Sequence, residues 1–124
     1  MTRGIVASFI NGWLDTDFAT AGCFVKLHTG DPGSAATANA AAGDTTRKQA
    51  TMAAASAGSK AMTSMAGSWT NGGTSETLSD ISIWSASTAG TFKASAALAA
   101  NQAWVNTNTF SLTSLSIAIT PGAA

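Results

Sequence analysis

One histidine, one cysteine and six carboxylates are all that this 124-residue chain offers for acid–base or metal chemistry. His28 stands three residues before Asp31, and Ser and Thr are abundant, so half of a Ser–His–Asp arrangement is within reach. A triad needs a base that hydrogen-bonds a nucleophile and a third group that orients the base. No nucleophile-elbow motif accompanies His28, and its place at a strand end fits a histidine that hydrogen-bonds the Thr29-Gly30-Asp31 turn. Metal chemistry fares no better, because His28, Cys23 and the scattered carboxylates show no ligand spacing. Asp15 and Asp17 lie two apart and read as solvated residues that end a helix. Gly30-Asp31-Pro32-Gly33 lacks the Lys-Ser/Thr of a phosphate loop, and no helix opens after it. An exposed Trp could stack on a sugar ring. Trp69, Trp84 and Trp104 sit among apolar residues, however, and Trp13 lies on an apolar helix face, so all four read as core. The residues point away from an enzyme, with no catalytic residue, cofactor or metal expected.

Composition narrows the alternatives. Ala, Ser, Thr and Gly supply 72 of the 124 residues, while charged residues make up only 10%. Disorder goes with low hydrophobicity and high net charge. Here 45% of residues are apolar and the formal net charge is zero, so a folded domain is expected. Arg47-Lys48 is the only basic pair, which argues against nucleic acid as a partner. No apolar run approaches the roughly 18 residues that cross a bilayer. Asn11, Asp15 and Asp17 interrupt the N-terminal apolar run too early for a signal peptide, so the chain reads as cytosolically made and unprocessed. Cys23 has no internal disulfide partner. So neutral a surface, rich in small side chains, defends poorly against association, and homo-oligomers or docking on a larger assembly are expected.

The elements that would position these residues form an all-β pattern behind one helix. Ile5, Val6, Phe9, Ile10, Trp13 and Leu14 recur at helical spacing, predicting a helix over about 3–14 with Thr2 as N-cap. Phe9 and Trp13 on that helix are candidate interface residues. Val25 and Leu27 then alternate with Lys26 and His28 in a strand over about 22–28. Asp31-Pro32-Gly33 ends it: Pro32 presets φ, Gly33 admits a positive φ, and Asp31 bonds back to the backbone. Residues 34–46 contain six Ala and no larger apolar side chain. That segment reads as a mobile loop, or one ordered by a partner, with Ala41 and Ala42 as candidate contacts.

Weaker strands follow over 47–55 and 60–70, with a hairpin turn at Gly58-Ser59. Asn71-Gly72-Gly73 is a turn. The segment 76–87 carries Leu78, Ile81, Ile83 and Trp84 as a strand covered on both sides. Ala89-Gly90 turns the chain into 91–98, whose Phe92, Ala94, Ala96 and Leu98 make the clearest half-buried alternation. Residues 101–108 read as a connection, and 109–120 as a last strand with a bend at Ser114. The expectation is a single domain over 1–124, a β-sandwich or small barrel of about seven antiparallel strands with one N-terminal α-helix.

The run Val25-Lys26-Leu27-His28-Thr29-Gly30-Asp31-Pro32-Gly33 resembles the VKLHTGDPG stretch of small virion structural proteins of tailed actinobacteriophages, usually labelled tail fibre proteins. Thr46-Arg47-Lys48, Ile83-Trp84-Ser85-Ala86-Ser87 and Gly90-Thr91-Phe92 follow in the order seen in that family. The resemblance implies a bacteriophage structural protein in the virion and brings no catalytic residues with it. Two placements are open. A compact domain suits a multicopy capsid decoration protein on the major capsid protein, which is the expectation taken first. A tail fibre or minor tail protein bound to other tail proteins is the alternative. A trimer suits either placement. An adhesin that binds a host-surface glycan through an exposed Trp is the alternative of another class.

Overall fold

The computed structural model describes residues 3–121. Helix α1 (Ala7–Asp17) opens the fold and a single 3-10 turn at Thr20–Gly22 follows it. Eight strands come next: β1 (Phe24–His28), β2 (Lys48–Met52), β3 (Ser59–Met65), β4 (Trp69–Thr70), β5 (Glu76–Trp84), β6 (Phe92–Trp104), β7 (Thr109–Phe110) and β8 (Ser116–Ala118). Six of them form one antiparallel sheet in the order β6-β5-β1-β2-β3-β8, while β4 and β7 pair as a separate ribbon. The protein is therefore an all-β domain with one helix, as its alternations predict.

Strand β1 is central, and its register explains the layering. Val25 pairs with Ile83 and Leu27 with Ile81, so four apolar side chains turn to the same face and are buried there. Ile10, Leu14 and Phe18 of the helical segment, with Ala50, Met52, Trp69, Leu78, Trp104 and Leu115, complete this core. The opposite face of the β1–β5 pair carries Lys26, His28, Ser82 and Trp84, since successive strand residues alternate in direction.

Polar contacts fix α1 to the β2–β3 hairpin. Asn11 Oδ1 accepts the Gly58 N–H at 2.8 Å and Asp15 Oδ1 accepts the Ala55 N–H at 2.9 Å. The same Asp15 oxygen meets the buried Lys60 ammonium at 2.7 Å, and Lys60 also donates to the Ala53 carbonyl at 2.9 Å. The Lys60 bond holds the Asp15 carboxyl below its ordinary value. Asp15 thus lies within the helix and is tied to the hairpin, while Asp17 is its last residue. The start differs as well: α1 begins at Ala7 because Val6 is extended (φ −74°, ψ 145°). The expected cap Thr2 lies outside the described residues.

Residues 34–46 find their contacts within the chain. Strand β2 leaves β1 after pairing with Phe24 and Val25, which strands the backbone groups of Leu27 and Thr29. The Ala-rich segment fills that slot: Ala41 N–H donates to Leu27 O at 3.1 Å, Thr29 N–H to Asn39 O at 2.8 Å, and His28 bridges Ala40. Ala36 and Ala41 are buried, whereas Ala42 is exposed. The Glu76 carboxylate accepts the N–H groups of Ala42 and Gly43 at 2.9–3.2 Å. Gly43 must be glycine, since an added Cβ would lie 2.3 Å from Asn71 Oδ1 and 3.0 Å from the Trp104 ring.

Three strand boundaries depart from the alternation. β6 continues through 101–104, which reads as a connection, because Gln102, Ala103 and Trp104 pair with Leu78, Thr77 and Glu76. It is also an edge strand, so Ala96 is exposed and the alternation there reports pairing more than burial. The 109–120 segment is split between β7 and β8, which pair with β4 and β3 respectively. The hairpin turn sits at Ala57-Gly58, one residue earlier than its sequence implies, with φ of 52° and 80°. Two consecutive positive φ values match a two-residue hairpin loop, in which Asn-Gly is favoured over Ala-Gly. Ala57→Asn is expected to raise stability by about 0.5–1 kcal/mol, read as a higher thermal midpoint. An unchanged or lower midpoint would contradict a left-handed Ala57.

Candidate functional site

The only histidine is the centre of a buried polar chain. His28 Nδ1 lies 3.0 Å from the Ala38 carbonyl oxygen, so that nitrogen must carry the proton and donate. Nε2 is then the acceptor for Ser82 Oγ–H at 2.7 Å. Ser82 Oγ in turn accepts the Trp84 Nε1–H at 2.8 Å. Every bond runs one way, from Trp84 through Ser82 and His28 to Ala38, and each donor and acceptor is satisfied only by neutral imidazole. His28 and Ser82 are fully buried. Burial pushes the His28 imidazole below its ordinary 6.5, and nearby Lys26 adds to this against the opposing pull of the Ala38 bond and Asp80.

The geometry has two parts of a triad and lacks the third. Ser82 and His28 stand as a nucleophile and base would, but Nδ1 faces a peptide carbonyl where a carboxylate would orient the base. Ser82 has no exposed surface for a substrate to reach. What the pair does is join β1, β5 and the 34–46 segment. His28 does not bond the Thr29-Gly30-Asp31 turn as its position implies. That turn has its own ties: Asp31 Oδ1 accepts the Gly33 N–H at 2.9 Å, Asn39 Nδ2 donates to Asp31 O at 2.9 Å, and Gly33 has φ +76°. Pro32 is buried beneath it.

The separate sequence motifs meet around this chain. Arg47 lies 3.8 Å over the Trp84 ring and donates to the carbonyls of Ala86 and Ala89. Phe92 packs against Trp84 at 5.6 Å between ring centroids. Ser85 and Thr91 exchange backbone and side-chain bonds, closing the β5–β6 turn. The His28 run, Arg47, the Trp84 segment and Phe92 are thus one contiguous patch of architecture. Ser82 is the member that residue type alone misses. Its signal is period-2 spacing with Trp84 on β5, which becomes legible only once the β1–β5 register is known.

The tryptophans divide. Trp69 and Trp104 are buried, as their apolar surroundings predict, and Trp84 is half-buried under Arg47. Trp13 is 49% exposed and Phe9 70% exposed, so Trp13 is not core. The helix turns Ile10 and Leu14 inward, which rotates Phe9 and Trp13 to the outside. Ala41, one of the candidate contacts, is enclosed by its own chain. No group of three or more metal-ligating side chains occurs among the described residues, and no helix there is long and apolar enough to cross a membrane.

Ser82→Ala is expected to cost about 1–3 kcal/mol, since it leaves His28 Nε2 and Trp84 Nε1 unpaired in a buried site. The unfolded chain takes up a proton at His28 before the folded one does. Stability is therefore complete above the ordinary value of 6.5 and declines as pH falls through the lowered folded value. Denaturant unfolding at stepped pH measures this slope. His28→Gln should flatten it, and an equal slope in both proteins would contradict a neutral buried His28.

No curated protein matches the chain. A family does. Residues 9–120, from within α1 to beyond β8 and including every part of the His28 patch, match the family described as podophage GP4 fiber I protein gp80, and the chain belongs to that family.

Proposed function

We propose that this protein is a non-enzymatic building block of a phage tail fibre. Membership of a phage fibre family makes it a phage structural protein, and the match over residues 9–120 is the observation that carries the finer reading. Size and composition suit a capsid decoration protein equally well, but the family description names a fibre, which favours the tail. The likeness to the actinobacteriophage VKLHTGDPG type belongs to this proposal too. Family membership is compatible with the buried Ser82–His28 pair acting as architecture. Immunogold labelling of intact virions with antibody to this chain tests the placement. Label on tail appendages is expected, and label spread over the icosahedral shell would overturn it in favour of decoration.

The exposed apolar side chains of the extended segment before α1 and of the outer side of α1 support assembly. Ile5, Val6 and Phe9 are 55%, 51% and 70% exposed, an uncommon concentration of large apolar side chains on so small a domain. A net charge of zero leaves little repulsion between copies, so the occupant favoured is a second copy of the chain. Analytical ultracentrifugation should show an oligomer that Phe9→Ser shifts toward monomer. A monomeric parent at all concentrations would contradict self-association.

A further inference from the structure

We propose that the cavity beside Trp13 is a binding site for a neutral saccharide. The cavity is open, encloses about 430 Å³ and is lined by Trp13, Asp17, Phe18, Ser85, Thr91 and Lys93. That volume falls within the roughly 300–1,000 Å³ of small-molecule sites. Three elements build it: the C-terminal half of α1, the end of β5 and the start of β6. Trp13 and Asp17 are one helical turn apart, so the indole and the carboxylate are neighbours on one rim.

The polar groups are held rather than free to swing. Lys93 Nζ donates to the carbonyls of Asp17 and Gly22, which fixes the ammonium and leaves one of its three protons for a ligand. Ser85 Oγ accepts the Thr91 N–H at 2.7 Å and keeps its own proton to donate. Buried Phe18 lies beneath Lys93, with the ammonium 5.5 Å from its ring. A half-exposed indole thus stands beside a carboxylate acceptor, an ammonium donor and two hydroxyls.

That combination selects one ligand chemistry. A sugar ring presents a C–H face to an aromatic plate and hydroxyls around its edge, each able to donate and accept. One negative and one positive group cancel, which favours a neutral ligand. An anionic group would face the Asp17 carboxylate, and a purely apolar ligand would cover that carboxylate and the remaining Lys93 proton without partners. Nucleic acid lacks the basic cluster it would need. The fibre reading is not needed for this site, and the binding test on isolated protein leaves the immunogold result untouched if it fails.

Saturation-transfer NMR of the full chain provides the test. The probes are glucose, galactose, mannose, N-acetylglucosamine and their disaccharides, with sialic acid as the anionic comparison. At least one neutral sugar should bind saturably. Trp13→Ala and Asp17→Ala should each weaken it about tenfold or more, while Ser8→Ala, on the same helix but outside the cavity, leaves it within about twofold. Circular dichroism verifies that the variants fold, and Asp17→Ala decides the matter if Trp13→Ala does not. The proposal is overturned if no neutral sugar binds, if only sialic acid binds, or if the Trp13 and Asp17 variants bind like the parent.

Discussion

Neutrality of His28 is the constraint on which the rest of the fold turns. A protonated imidazole would present two donors, and with Nε2 turned into a donor the Ser82 O–H would lose the acceptor it now has. The chain of bonds would lose its direction. Held neutral, His28 fastens the central strand to its neighbour and, through Ala38, draws the Ala-rich segment onto the sheet. That segment has no large apolar side chain of its own, so backbone pairing with β1 must order it. The segment with the least apolar area to bury is therefore held by backbone pairing, the His28–Ala38 bond and the Glu76 carboxylate.

A division of labour between the two sheet faces follows from this. One side of β1–β5 is occupied by Val25, Leu27, Ile81 and Ile83 and packs as an ordinary apolar core. The other is closed by directional contacts, with Arg47 over Trp84 and the Ser85–Thr91 turn beyond it. A chain with so many alanines has limited apolar area to bury. Hydrogen bonds and a cation–π contact then carry specificity that larger side chains would otherwise supply.

Much of this was legible in the sequence, and the failures share a cause. Alternation located β1 and β5, turn chemistry located Asp31-Pro32-Gly33 and Ala89-Gly90, and Trp69 and Trp104 read correctly as core. Local pattern says which residues share a face, but not which face meets the core. Phe9 and Trp13 have helical spacing with Ile10 and Leu14, yet the docking of Asn11 and Asp15 on the β2–β3 hairpin decides which pair is buried. The 34–46 segment and the Ser82 partner of His28 depend on pairings across 10 and 54 residues, which hydrophobic periodicity does not report. Strand β6 reads short for the same reason, because β5 supplies the register that extends it to Trp104.

An exposed apolar surface runs along α1 to its junction with the β5–β6 turn, as suits a structural protein of a phage fibre family. The claim at the centre of this account is the protonation state and tautomer of one ring. Long-range nitrogen–proton correlation NMR of the His28 imidazole at pH 6.5, where an ordinary imidazole is half protonated, reads both directly. The account predicts a neutral ring with its proton on Nδ1. A doubly protonated ring, or a neutral ring protonated on Nε2, would contradict it.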